Sequence, residues 1–155
     1  MPEKFSDLKF MSFDEGINRI TSALQSVGIQ DLSKDGGPVI TSRDAIASRL
    51  KESLKIHGLP AGFEKWQLPV YFLGEGAQFF ISVAAPRATA DEHAHDNGAA
   101  MRFIVSGSIT YGGQELTQGD WMFVPKGSRY SFAVGEQGAV MCYCYKCCCA
   151  TSARV

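Results

Sequence analysis

Asp91-Glu92-His93-Ala94-His95-Asp96-Asn97-Gly98 holds two of the three histidines in the chain, spaced at i and i+2. On a β-strand this spacing puts both imidazoles on one face, with Cα atoms roughly 6 to 7 Å apart, so that both rings can reach one metal ion. The same pair is also what a polar surface loop presents, and its meaning depends on its surroundings.

Those surroundings are β in texture. From about residue 66 the chain runs in short alternating or aromatic-rich stretches separated by glycine-centred turns, the pattern of an all-β sandwich or barrel. Strands are predicted over Leu68 to Leu73, Gln78 to Ala84, Met101 to Ser106, Ser108 to Tyr111, Asp120 to Val124, Tyr130 to Val134 and Ala139 to Tyr145. Gly74-Glu75-Gly76, Gly112-Gly113, Gln118-Gly119, Pro125-Lys126-Gly127 and Gly135 to Gly138 supply the turns.

Residues 68 to 145 resemble the cupin superfamily. His93, His95, position 100 and Gly107 fit the spacing of the first family motif, and Gly119, Pro125, Gly127 and position 130 fit the second. The resemblance implies a mainly β fold, a cupin-like β-barrel of the double-stranded β-helix or jelly-roll type. It also implies a divalent transition metal (iron, manganese, nickel or zinc) held by His93 and His95. The chain departs from the family at two ligand positions, with Ala100 where a complete site has glutamate and Tyr130 where it has the third histidine. Two imidazoles alone hold such a metal weakly. Asp91, Glu92, Asp96, the Tyr130 phenol and the Cys142 or Cys144 thiols are the candidates to complete the shell. Tyr130 is otherwise an aromatic wall of a pocket, and the cysteines are otherwise small buried hydrophobes.

Arg102 has two readings. If the strand runs without a bulge from Ala100, then 100, 102 and 104 share the inward face. A buried guanidinium there needs an anionic or planar polar partner, and its fork suits a carboxylate or phosphate. Alternatively Met101, Phe103 and Val105 form the core face and Arg102 is solvated, which the apolar alternation favours. Trp121, Phe123, Tyr130, Phe132, Phe80 and Tyr71 are further candidates to line a cavity.

Before the β region lie two helices. Ser12-Phe13-Asp14-Glu15 has capping-box spacing, and Phe13, Ile17, Ile20, Leu24 and Val27 recur at helical intervals up to Gly28. A second helix starts after Thr41 or Ser42, carries Ile46, Leu50 and Leu54 on one face, and ends at His57-Gly58-Leu59-Pro60. The expected organisation is a helical extension over 1–65, the barrel over 66–146 and a cysteine-rich tail over 147–155.

Composition limits the rest. At 155 residues there is room for one full domain. With 15 basic against 16 acidic residues the net charge is −1, which gives no electrostatic drive toward nucleic acid or an anionic membrane. No apolar run is long enough to span a bilayer, and Met1 to Phe10 does not read as a secretory signal, so the cytoplasm is expected. All five cysteines fall between 142 and 149, a distribution that cannot staple distant segments. Such a cluster of soft thiolates suits zinc or copper(I), and equally a frayed end with no dedicated role.

Two functions follow. The first is a metal-dependent cupin enzyme, a dioxygenase, isomerase or lyase, in which the metal acts on a small acidic or aromatic substrate, Tyr130 completes the shell and Arg102 orients the acid. The second is a metal-free binding or sensing module with Arg102 and Tyr130 as its polar contacts. Metal handling through the tail is a third. The apolar outer face of such a barrel makes the expected partner a second copy of the chain, beside a small-molecule ligand.

Overall fold

The computed structural model describes residues 11–61, 63–71, 78–96 and 98–145, without the side chains of 78–80 and 145. These residues form two compact units, one made of the chain up to Leu32 with Ala45–Tyr71, the other of Ser33–Asp44 with the chain beyond Tyr71.

In the first unit, α1 spans Phe13–Ser26. Its start is set by the capping box: the Ser12 hydroxyl accepts from the Glu15 amide at 3.1 Å and the Glu15 carboxylate accepts from the Ser12 amide at 2.7 Å. The buried face is Gly16, Ile20, Ala23 and Leu24, while Phe13, expected on it, is 68% exposed. The helix stops before Gly28, whose positive φ of 77° suits glycine. The second helix, α2, spans Ala45–Ser53 and buries Ala47 and Leu50. It ends short of the expected His57 because the chain turns to extended pairing: the Ile56 amide donates to Lys65 O at 2.8 Å and the Gln67 amide to Leu54 O at 2.9 Å. Residues 68–71 are not a strand, and the rest of the expected strand to Leu73 lies outside the described residues. No helix among the described residues is long and apolar enough to cross a membrane.

Among the described residues the second unit is an antiparallel sheet of seven strands: β1 (Ile40–Thr41), β2 (Gln78–Ala84), β3 (Thr89–His93), β4 (Ala100–Tyr111), β5 (Gln114–Thr117), β6 (Trp121–Val124) and β7 (Tyr130–Tyr145). β4 and β7 are long, and each serves two half-sheets. In one half the order is β1-β6-β4-β7-β2; in the other, β5 pairs the far end of β4 and β3 pairs the near end of β7. Irregular register between Ile104 and Ser106, and again between Gly107 and Ile109, bends both long strands at the join. The two halves therefore share one core, in which Ile109, Leu116 and Val134 of one meet Ile104, Met122 and Met141 of the other.

The bend depends on glycine. Gly107 has φ of 71°, and a Cβ on it would collide with the Gly138 carbonyl oxygen; a Cβ on Gly135 would collide with the Ser108 hydroxyl. The sequence predicts two strands over 101–111 and two strands with a Gly135 to Gly138 turn over 130–145, and the structure joins each pair through a kink that glycine permits.

The segment Ser33–Asp44 belongs with the sheet. Ile40 and Thr41 pair with Phe123 and Met122, and Asp120 accepts from Ser42 at 2.8 Å and from Arg43 at 2.9 Å. On the outer face, Ile81, Cys142 and Phe103 are in register across three strands. Ile81, Val83, Phe103 and Val105, the exposed large hydrophobics of this unit among the described residues, all lie on that face.

Candidate functional site

The histidine pair meets Tyr130 where β3 ends and β7 begins. His93 is in register with Tyr130, and their rings lie 4.6 Å apart. His95, just past the strand, is 2% exposed and shares a hydrogen bond of 2.9 Å between its Nε2 and the Tyr130 hydroxyl. The loop of the second motif holds this corner in place. The Gly127 amide donates to His95 O at 2.9 Å, and the Gly36 amide donates to Lys126 O at 2.6 Å. Gly127 can take that path because its φ is 79°.

Arg102 points inward. It shares the face of Ala100 and Ile104 and is 7% exposed, whereas Phe103 and Val105 are 39% and 48% exposed. The reading in which Arg102 is solvated and Phe103 and Val105 face the core is therefore corrected, while Met101 on their face is buried at 7% exposure. Both faces of β4 are apolar, so alternation marks two candidate inner faces and selects neither. The guanidinium carbon lies 4.9 Å from the Phe132 ring centre and 4.6 Å from that of Tyr143, within cation–π range of both. Nη2 reaches the Tyr130 hydroxyl at 3.5 Å and Nη1 the Met141 sulfur at 3.6 Å, both long contacts.

Arg102, His93 and Phe132 line one cavity of about 210 Å³, with Ser82 and Thr89 adding hydroxyls and Met141 and Val134 apolar wall. Of the residues expected to line it, Phe132 does so and Tyr130 stacks on Phe132 at 6.2 Å between centroids. Trp121 does not: it pairs with Phe103 on the outer face, as Phe123 pairs with Met101. Tyr71 belongs to the helical unit, and the side chain of Phe80 lies outside the described residues. Tyr143 and Met141 were missed as cavity residues, although both stand on the face of β7 opposite Cys142 and Cys144. Once Arg102 is inward its register partner Tyr143 must be inward too.

Of the candidate metal donors, His93, His95 and the Tyr130 hydroxyl come together, whereas the carboxylates and thiols do not join them. Asp96, Asp91 and Glu92 are exposed, and Glu92 meets Arg129 at 3.4 Å. Cys142 and Cys144 are in register with Phe103 and Met101, on the sheet face away from the cavity. Among the described residues no group of three His, Cys, Asp or Glu side chains is placed to hold an ion. His95 Nε2 is engaged by the Tyr130 hydroxyl, so two imidazoles and a phenol are the candidate donors brought together among the described residues. Cys147, Cys148 and Cys149 lie outside the described residues.

Burial pushes the His95 imidazole down to about 4, helped by the neighbouring charges of His93 and Arg102 and opposed by Asp96. Its ordinary value is near 6.5, so between these two pH values the unfolded chain binds the extra proton and stability falls with acidification. The expected loss is on the order of 3 kcal/mol from pH 7 to below pH 4 for this group. Urea unfolding of wild type and His95→Gln across that range checks it, the variant giving the shallower dependence. Parallel curves would refute it.

The chain matches no protein-family model and no curated protein. Solved structures similar to it include a protein of unknown function with a cupin-like fold from Ralstonia eutropha, at 25% identity over 44% of this chain and 46% of that one, with a TM-score of 0.40. An RmlC-like cupin from Shewanella frigidimarina shows 20% identity over 46% of this chain and 67% of that one, TM-score 0.40. The polyketide cyclase RemF from Streptomyces resistomycificus shows 16% identity over 44% and 51%, TM-score 0.37. The match thus spans less than half of the first structure and about half of the last. The chain's own strand pairing is that of a mainly antiparallel β-sheet, with α1 ahead of its first strand and α2 between its first and second, and the solved structures similar to it include cupin-like proteins.

Proposed function

We propose that the protein binds a small organic carboxylate in the cavity of its sheet, with Arg102 as the anchor. The observation that carries this reading is a guanidinium buried at the wall of an otherwise largely apolar cavity and held there by two aromatic rings. Phe132 and Tyr143 restrict its orientation, so little side-chain freedom is left to lose when a ligand arrives. A planar carboxylate matches the in-plane N–H fork, and low local polarity strengthens the pair. The volume of about 210 Å³ is below the range of roughly 300–1,000 Å³ usual for drug-sized ligands, which fits a compact acid. The metal-dependent enzyme is the less favoured reading, since no carboxylate or thiol among the described residues joins His93, His95 and Tyr130.

Calorimetric titration of chelator-dialysed protein with propionate, benzoate and their amides tests the proposal. The acids are expected to bind at least about tenfold tighter than the amides, as a charge-assisted pair requires. Adding zinc, manganese, nickel or iron(II) is expected to leave the acid affinities and the Tm unchanged. Equal affinity for acid and amide, or acid binding that appears only with metal, would overturn it.

A further inference from the structure

His93 lines the same cavity as Arg102, and a hydrogen bond fixes where its proton sits. Its Nδ1 lies 2.6 Å from the backbone carbonyl oxygen of Asp91. A carbonyl oxygen only accepts, so Nδ1 carries the hydrogen and donates it. In the neutral ring the lone pair is then on Nε2, and the residue offers the cavity an acceptor. Arg102, by contrast, can only donate. With that ring unprotonated the cavity presents one charged donor and one acceptor, with the hydroxyls of Ser82 and Thr89 able to serve either role.

We infer that the acid bound here carries a hydroxyl group, which donates to His93 Nε2 while the carboxylate accepts from Arg102. The preferred ligand class is a short hydroxy acid. This rests on the carboxylate reading above and adds to it. The oxo counterpart of such an acid brings only an acceptor to face the Nε2 lone pair, and the deoxy counterpart brings neither donor nor acceptor. Both leave the histidine without the hydrogen bond its tautomer is set to accept.

The test is calorimetry at pH 8 with two matched series: lactate, propionate and pyruvate; and mandelate, phenylacetate and benzoylformate. In at least one series the hydroxy acid is expected to bind wild type about tenfold tighter than both relatives. In His93→Gln, whose amide both donates and accepts, the preference over the oxo acid is expected to disappear. Binding of all three members of each series with equal affinity would overturn the inference and leave the carboxylate reading standing. A preference that survives in His93→Gln would also overturn it, by placing the acceptor elsewhere. No binding of any acid would instead overturn the carboxylate reading. The wild-type ratios decide between these outcomes even if the variant fails to fold.

Discussion

Replacing Arg102 with methionine is expected to lower the affinity for benzoate or propionate about 100-fold while leaving the protein folded. The loss is that of a charge-assisted, two-pronged hydrogen bond, on the order of 3 kcal/mol. The fold is expected to survive because the neighbours of the guanidinium include Phe132, Tyr143 and the Met141 sulfur, and its contact with the Tyr130 hydroxyl is long at 3.5 Å. Methionine is unbranched, close in length and adaptable, and it fills that space without burying a charge. Removal of the two ring contacts costs about 1–2 kcal/mol, which the removal of a desolvated charge offsets in part. Arg102→Lys separates charge from geometry, because an ammonium is a point charge without the fork. It is expected to fall between wild type and Arg102→Met. Calorimetry with urea unfolding of the same samples checks both halves, and an Arg102→Met protein that binds benzoate as wild type does would show that the anchor lies elsewhere.

Gly107→Ala is expected to be the most damaging small substitution, costing roughly 3–5 kcal/mol. Two effects add. The backbone at Gly107 has φ of 71°, which costs a residue with a Cβ about 1–2 kcal/mol. The new methyl would also run into the Gly138 carbonyl, backbone that cannot swing aside, at the crossing where β4 and β7 both bend. Gly112→Ala is the control, since its φ is 57° and nothing lies within 4 Å of where its Cβ would be. That variant is expected to lose about 1 kcal/mol. Urea midpoints for the two give the comparison, and equal losses would mean that the strands do not cross as closely as described.

The motif glycines illustrate what can be read from a sequence alone. Gly107, Gly119 and Gly127 all take positive φ, so their spacing records backbone shape, and the fold class follows from them even though two of the motif's ligand positions carry Ala100 and Tyr130. The capping box at Ser12 is legible for a similar reason, because it is local. The orientation of Arg102 is not local. Met101, Phe103 and Val105 form an apolar face opposite that of Ala100, Arg102 and Ile104, and both Met101 and Arg102 are buried while Phe103 and Val105 are exposed, a difference that follows from pairing with β6 and β7 and not from alternation. Trp121 was misplaced by the same ambiguity, since its register partner is Phe103. The Ile40–Thr41 strand is two residues long and pairs with a segment about eighty positions away, too short for any periodicity to reveal. The spacing of the histidine pair is legible in the sequence, but the hydrogen bond of His95 to the Tyr130 hydroxyl at 2.9 Å is not, because it is made where β3 meets β7.

The most direct measurement is a crystal structure of the protein with whichever of benzoate, propionate, lactate or mandelate binds tightest. The carboxylate is expected inside the cavity, within hydrogen-bonding distance of the Arg102 guanidinium, with its apolar part against Phe132, Val134 and Met141. A ligand bound outside the cavity, or bound within it with its carboxylate turned away from Arg102, would contradict the central claim.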